Sequence, residues 1–144
     1  MKIFTVGYEG RKIEDFLKLL VEHGVGLLID IRANPNSRRK EFSKKNLAEA
    51  LEKSGIDYEH IPEVGGPKWL RDKVKQDDDY GYFFREYGKF LESRSGELER
   101  ISLLAKSYSA CLLCYEMDYN RCHRLAVAEA AAGLSAGNAK IIHL

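Results

Sequence analysis

A chain of 144 residues with 44% hydrophobic and 31% charged residues has the balance of an ordinary globular domain, and a chain of that size buries about two-thirds of its unfolded surface. The net charge of +1 excludes a global attraction to nucleic acid or anionic membrane, so any such affinity must come from a local patch. No apolar run approaches the roughly 20 residues that cross a bilayer, and three cysteines, an odd number, argue against a disulfide framework and for a reducing compartment.

Lys2 to Val6 is a β-rich run closed by the turn Gly7-Tyr8-Glu9-Gly10, so a first strand is expected there rather than a signal peptide. Ile13, Phe16, Leu17, Leu20 and Val21 recur at helical spacing, with Gly24 as the stop. Val25 to Ile31 is almost continuously apolar, as suits a strand covered on both faces. A polar loop from Ala33 to Phe42 leads to a helix for which Ser43 is the expected N-cap, Phe42 and Leu47 the staple and Gly55 the end. Ile56 to Ile61 alternates like a third strand. Pro62 to Asp79 has weak periodicity and reads as a functional loop or lid.

Phe83, Phe84, Tyr87, Phe90 and Leu91 mark a helix with an aromatic face, and Leu98, Ile101, Leu104 and Ala105 a second one. Ser109 to Tyr115 is a buried strand, Arg121 to Ala132 an Ala-rich helix capped by Asn120, and Lys140 to Leu144 a last strand. Strand–helix alternation of this kind builds parallel βαβ units. The expected fold is therefore one α/β domain over 1–144, a three-layer sandwich whose mostly parallel sheet of about five strands carries helices on both faces. The expected location is cytoplasmic, without membrane contact.

Ligands of such sheets bind beyond the carboxyl ends of the strands. That edge gathers Tyr8 and Glu9, Asp30 and Arg32, Gly65 and Gly66, then Cys114, Glu116, Cys122, His123 and Arg124. Two nucleophile candidates, several carboxylates, a histidine and two arginines exceed what packing needs. Cys114, Glu116, Cys122 and His123 are the catalytic candidates, with Arg32 and Arg124 suited by their fixed forks to an anion. Cys122, placed in the first turn of a helix after Asn120, is expected to be the most reactive thiol. Cys111, in mid-strand, reads as a small hydrophobe. Residues 111 and 114 have opposite parity in an extended strand and so point to opposite faces, which weakens C-x-x-C as a metal motif. No cofactor is expected. Zinc stays a minor alternative, through Cys114, Cys122, His123 and Glu116, because no full structural ligand set is present.

GYEG after the first strand, Asp30-Ile31-Arg32, Pro35-Asn36-Ser37-Arg38, Phe42-Ser43, Gly65-Gly66 and Cys114-x-Glu116 followed by Cys122-His123-Arg124 together resemble domain of unknown function family 488, from Lys2 to about Leu125. The resemblance adds Ser37 and Arg38 to the anion-binding candidates and implies no settled activity. Position 67 is proline where the resemblance implies an arginine in many relatives.

The first functional reading is an enzyme, a hydrolase or transferase acting on a small anionic substrate, with nucleotide-like ones among the candidates. Leu28-Ile29-Asp30-Ile31-Arg32 is similar to a rhodanese strand. Yet the expected single-cysteine loop is absent, and Cys114 to Arg121 is one residue too long for a C-x5-R phosphate loop. The second reading is a nucleic-acid- or nucleotide-binding module that uses the basic run Arg32, Arg38, Arg39, Lys40, Lys44 and Lys45, with weak affinity expected from so small a patch. The third is a cysteine-based redox or metal sensor. Oligomeric state is left open.

Overall fold

The computed structural model describes residues 1–121, 123–134 and 139–144, so the expectations placed on Cys122 lie outside the described residues. Five strands form one all-parallel sheet in the order β3-β2-β4-β1-β5. They are β1 (Lys2–Gly7), β2 (Leu27–Asp30), β3 (Asp57–His60), β4 (Ala110–Cys114) and β5 (Lys140–His143). The central strands β1, β2 and β4 are buried nearly throughout, which is why their sequences run apolar instead of alternating.

Two apolar layers cover the sheet. On one face α1 (Ile13–Glu22) and α2 (Lys44–Lys53) set Phe16, Leu20, Leu47 and Leu51 against Phe4, Val6, Leu28, Cys111 and Leu113. On the other, α4 (Tyr80–Glu92), α5 (Ser95–Ser107) and α6 (Arg124–Gly133) set Phe83, Tyr87, Leu98, Ile101, Val127 and Ala131 against Ile3, Leu27, Ile29, Ile31 and Leu112. The three-layer α/β sandwich is the expected one. Because side chains alternate along a strand, Cys111 joins the first layer, while Leu112, the residue it alternates with, joins the second.

Several local readings need correction. The 62–79 stretch is not an irregular loop: after a 3-10 turn at Pro62–Val64 it folds into α3 (Lys68–Asp77), which ends on Asp78 at φ 56°. Its helix carries one fully buried side chain, Leu70, too few to leave a periodic signal. Ser43 occupies the N-cap position of α2, but its hydroxyl accepts from Ser37 N and donates to Ser37 O instead of capping. Asn120 lies within a 3-10 turn (Tyr119–Arg121), and α6 starts only at Arg124. Val21, one of the apolar residues at helical spacing, is exposed. No helix among the described residues is long and apolar enough to cross a membrane.

The chain leaves β1 toward β2 and leaves β4 toward β5, so the connections from these adjacent strands run in opposite directions. A cleft opens at such a switch point, here beside Gly7 and Cys114.

Candidate active site

The segment after β4 is held in place by hydrogen bonds to Glu9 and Arg124. Glu9 N donates to Tyr115 O at 2.9 Å, and Glu9 Oε1 accepts from Met117 N at 3.0 Å. Arg124, fully buried, donates from Nη1 to Glu116 O, from Nη2 to Met117 O at 2.8 Å and from Nε to Thr5 Oγ1 at 3.2 Å. Gly7 makes this approach feasible, since a Cβ there would lie 1.9 Å from Glu116 O. Glu9 and Arg124, two of the anion-binding candidates, thus fix the backbone from which Glu116 projects.

Cys114 Sγ, 1% exposed, donates to Glu116 Oε2 at 3.1 Å. The His123 ring lies within 3.6 Å of the same sulfur, with Nε2 at 3.5 Å. Tyr87 meets that ring edge-on at 5.8 Å, and its hydroxyl donates to Val64 O. Burial disfavours the charged imidazole, but Cys114, then Glu116 and the main chain of Ile31, more than offset it and hold His123 above the usual histidine range. Cys111, three residues away on the same strand, has its thiol pushed up by burial, with Arg124 only partly opposing.

A cleft of about 330 Å³ lies over this cluster. Glu116 and His123 line it, Cys114 does not, and its other walls include Arg71, Val74 and Lys75 of α3, Tyr80 and Phe83 of α4, and Tyr115. Arg71 and Lys75 stand four residues apart and so share one helix face. They bring positive charge to the cleft from α3. Arg71 Nε also donates to Gly66 O at 2.9 Å, while Gly65 packs so closely on Ala33 that a Cβ would lie 2.5 Å from Ala33 N. A larger cavity of about 890 Å³ between α4, α5 and α6 is mostly apolar, with Glu92 and Glu129 its ionisable groups. Its described lining includes the hydroxyls of Tyr80 and Ser95 but no cysteine or histidine.

The remaining candidates assemble on the opposite face of the sheet. Asp30, fully buried, accepts from Arg32 Nε at 2.9 Å and Nη2 at 2.7 Å, and from Tyr58 OH at 2.5 Å. Arg32 Nη1 donates to Tyr8 OH, which donates to Ser37 Oγ at 3.2 Å. Burial alone would lower the Arg32 pKa, yet Asp30 carries it above the ordinary arginine value, and burial with Asp30 raises that of Tyr58. Arg32 is therefore a buried partner of Asp30 rather than a group facing the cleft. Arg38 is exposed. Arg39 pairs with Glu41 and donates to Tyr8 O.

Arg71 and Lys75 are the cleft residues that sequence reasoning misses. The Arg71–Lys75 spacing was the available signal, hidden by the weak periodicity around it. Among the described residues no group of three or more His, Cys, Asp and Glu has the arrangement to hold a metal ion.

The family model described as domain of unknown function DUF488 matches residues 12–131. Neither the curated proteins nor the solved structures contain a significant match to the chain.

Proposed function

From a chain that belongs to the DUF488 family, we propose an enzyme, a hydrolase or transferase, that acts on a small anionic substrate in the cleft beneath α3. Cys114 is the nucleophile, His123 the acid–base group, and Glu116 the carboxylate that covers the sulfur and steadies the imidazolium. Arg71 and Lys75 hold the anion. The observation that carries this reading is the Cys114–His123 contact at 3.5 Å, with the ring held by Tyr87 and by the main chain of Ile31. A nucleophile, a base within reach and a third group orienting the base is the recurring pattern of covalent catalysis.

In the reaction, the Cys114 thiol passes its proton to His123. The sulfur bonds to the electrophilic atom of the substrate, and the leaving group departs with the proton from His123. Water, or an acceptor hydroxyl in a transferase, then attacks the thio-intermediate and gives its proton to His123, and the Cys114 thiolate is released to be reprotonated. Glu116 must swing aside for the first step, since it lines the cleft and Cys114 lies behind it. Its backbone stays fixed by Arg124 and Glu9.

Site-resolved alkylation of the native chain tests the assignment. Cys114 is expected to label near neutral pH while Cys111 stays inert, and His123→Asn to slow Cys114 labelling at least tenfold. Replacing Arg71 and Lys75 by alanine should lower the rate with anionic iodoacetate more than with neutral iodoacetamide. Cys114 as inert as Cys111, in a protein that remains folded, would remove the nucleophile.

A further inference from the structure

The cleft has two unlike walls. One is the cationic face of α3, where Arg71 and Lys75 stand one turn apart. The other is aromatic. Tyr80 and Phe83 come from the first turn of α4 with ring centroids 6.2 Å apart, and Tyr115 enters from the end of β4, its ring edge-on to Tyr8 at 5.2 Å. His123 and Glu116 complete the lining. Neighbouring rings already pack against Tyr80 and Tyr115, so an entering ring meets surfaces whose rotamers are partly set, and little ordering cost is added on binding.

Resting on the anionic-substrate reading, we propose that the substrate is a phosphate monoester carried on an aromatic ring, of the aryl phosphate or nucleoside monophosphate class. Two cations on one helix face, with the protonated form of His123 favoured beside them, match a dianion better than a single carboxylate. A planar ring is what Tyr80, Phe83 and Tyr115 recognise, by stacking or edge-on contact. The volume of about 330 Å³ sits at the lower end for small-molecule sites. It holds one ring system with one phosphate and excludes a polymer segment. Glu116, the one carboxylate in the lining, lies beside Cys114 and His123, so it faces the reacting end of the ligand and is itself paired with the thiol.

The test is calorimetric titration of the native full chain with phenyl phosphate, adenosine 5′-monophosphate, glycerol 1-phosphate and inorganic phosphate at one ionic strength. Phenyl phosphate or the nucleotide should bind at least tenfold more tightly than glycerol phosphate and inorganic phosphate, and which of the two wins tells an aryl from a nucleoside substrate. Tyr115→Ala, at an exposed position, should cut that preference at least threefold and leave inorganic phosphate affinity unchanged. Lys75→Ala should weaken all four ligands together. The tighter ligand should also slow alkylation of Cys114 in the unmodified protein, a readout that needs no variant. If inorganic phosphate binds as well as phenyl phosphate, the aromatic class is overturned while the anion site stands. If none of the four binds, the anion site itself fails.

Discussion

Cys111 and Cys114 are both buried in one strand, yet different groups face their thiols. Cys111 faces α1 and α2 among apolar side chains, and burial holds its proton on. Cys114 meets a carboxylate and an imidazole. Glu116→Ala should therefore speed alkylation of Cys114 roughly tenfold, a difference of about 1.4 kcal/mol. It uncovers the sulfur and removes a negative charge that opposes the thiolate. An unchanged or slower rate, measured by peptide mass spectrometry, would show that Glu116 does not gate the thiol. His123 gives a prediction with a sign. Its pKa in the folded chain is raised above the ordinary 6.5, so its protonated form stabilises the fold. That contribution is complete below pH 6.5 and is lost as pH rises through the raised folded value. The stability difference between the native chain and His123→Asn, from urea unfolding, should be larger at pH 5.5 than at pH 9. A pH-independent difference would mean that the imidazole does not bind its extra proton in the folded state.

At the scale of elements, the site depends on how closely β1 and the segment after β4 approach. Gly7 is the contact point, and its substitution has a direct steric consequence. In Gly7→Ala the new methyl would lie 1.9 Å from Glu116 O and 2.7 Å from Arg124 Nη1, so the backbone or the guanidinium must move. A cost of about 2 kcal/mol or more is expected, in the range of overpacked cores, together with slower labelling of Cys114 as Glu116 shifts. A variant as stable as the parent in urea would show that the two segments separate at little cost. The element that brings cations to the cleft, α3, carries the fewest buried side chains of the α-helices: only Leu70 is fully covered. A helix so lightly anchored opens at lower free energy than the core. Hydrogen exchange should accordingly be faster in 68–77 than in α4 or α5.

Across the whole molecule, the sheet itself divides the polar groups of its carboxyl edge. The Cys114–Glu116–His123 cluster lies on the face of α4 and α6, and the Asp30–Arg32–Tyr58–Tyr8 network on the face of α1 and α2. The second network keeps a buried charge paired, so Asp30→Asn strands Arg32 and should cost about 3 kcal/mol or more, read as a lower midpoint of urea unfolding. A cost below 1 kcal/mol would indicate that Arg32 finds water or another acceptor. The pairing also drains the basic run: Arg32 is buried on Asp30, Arg39 is half-buried in a surface pair with Glu41, and the exposed cations there are Arg38, Lys40, Lys44 and Lys45. Four phosphate contacts at most imply a slope of log affinity on log salt no steeper than about −3.6 for duplex DNA. A steeper slope, or tight binding that ignores salt, would favour the nucleic-acid reading over the enzyme.

By itself the sequence determined the parallel α/β architecture, because strands buried on both faces and amphipathic helices carry their burial pattern in local periodicity. It also marked Cys114, Glu116 and His123, whose types and place at a strand exit signal chemistry. It could not tell which polar residues share a face beyond the strand ends, because Arg32 and Arg124 look alike as arginines until their acceptors are known. Tertiary structure alone decided that Arg32 bonds Asp30, that Arg124 clamps the Glu116 and Met117 carbonyls, and that the cations of the cleft come from α3. Those outcomes rest on contacts between segments far apart in the chain, set by the strand order and by the close approach at Gly7, and no local pattern encodes them.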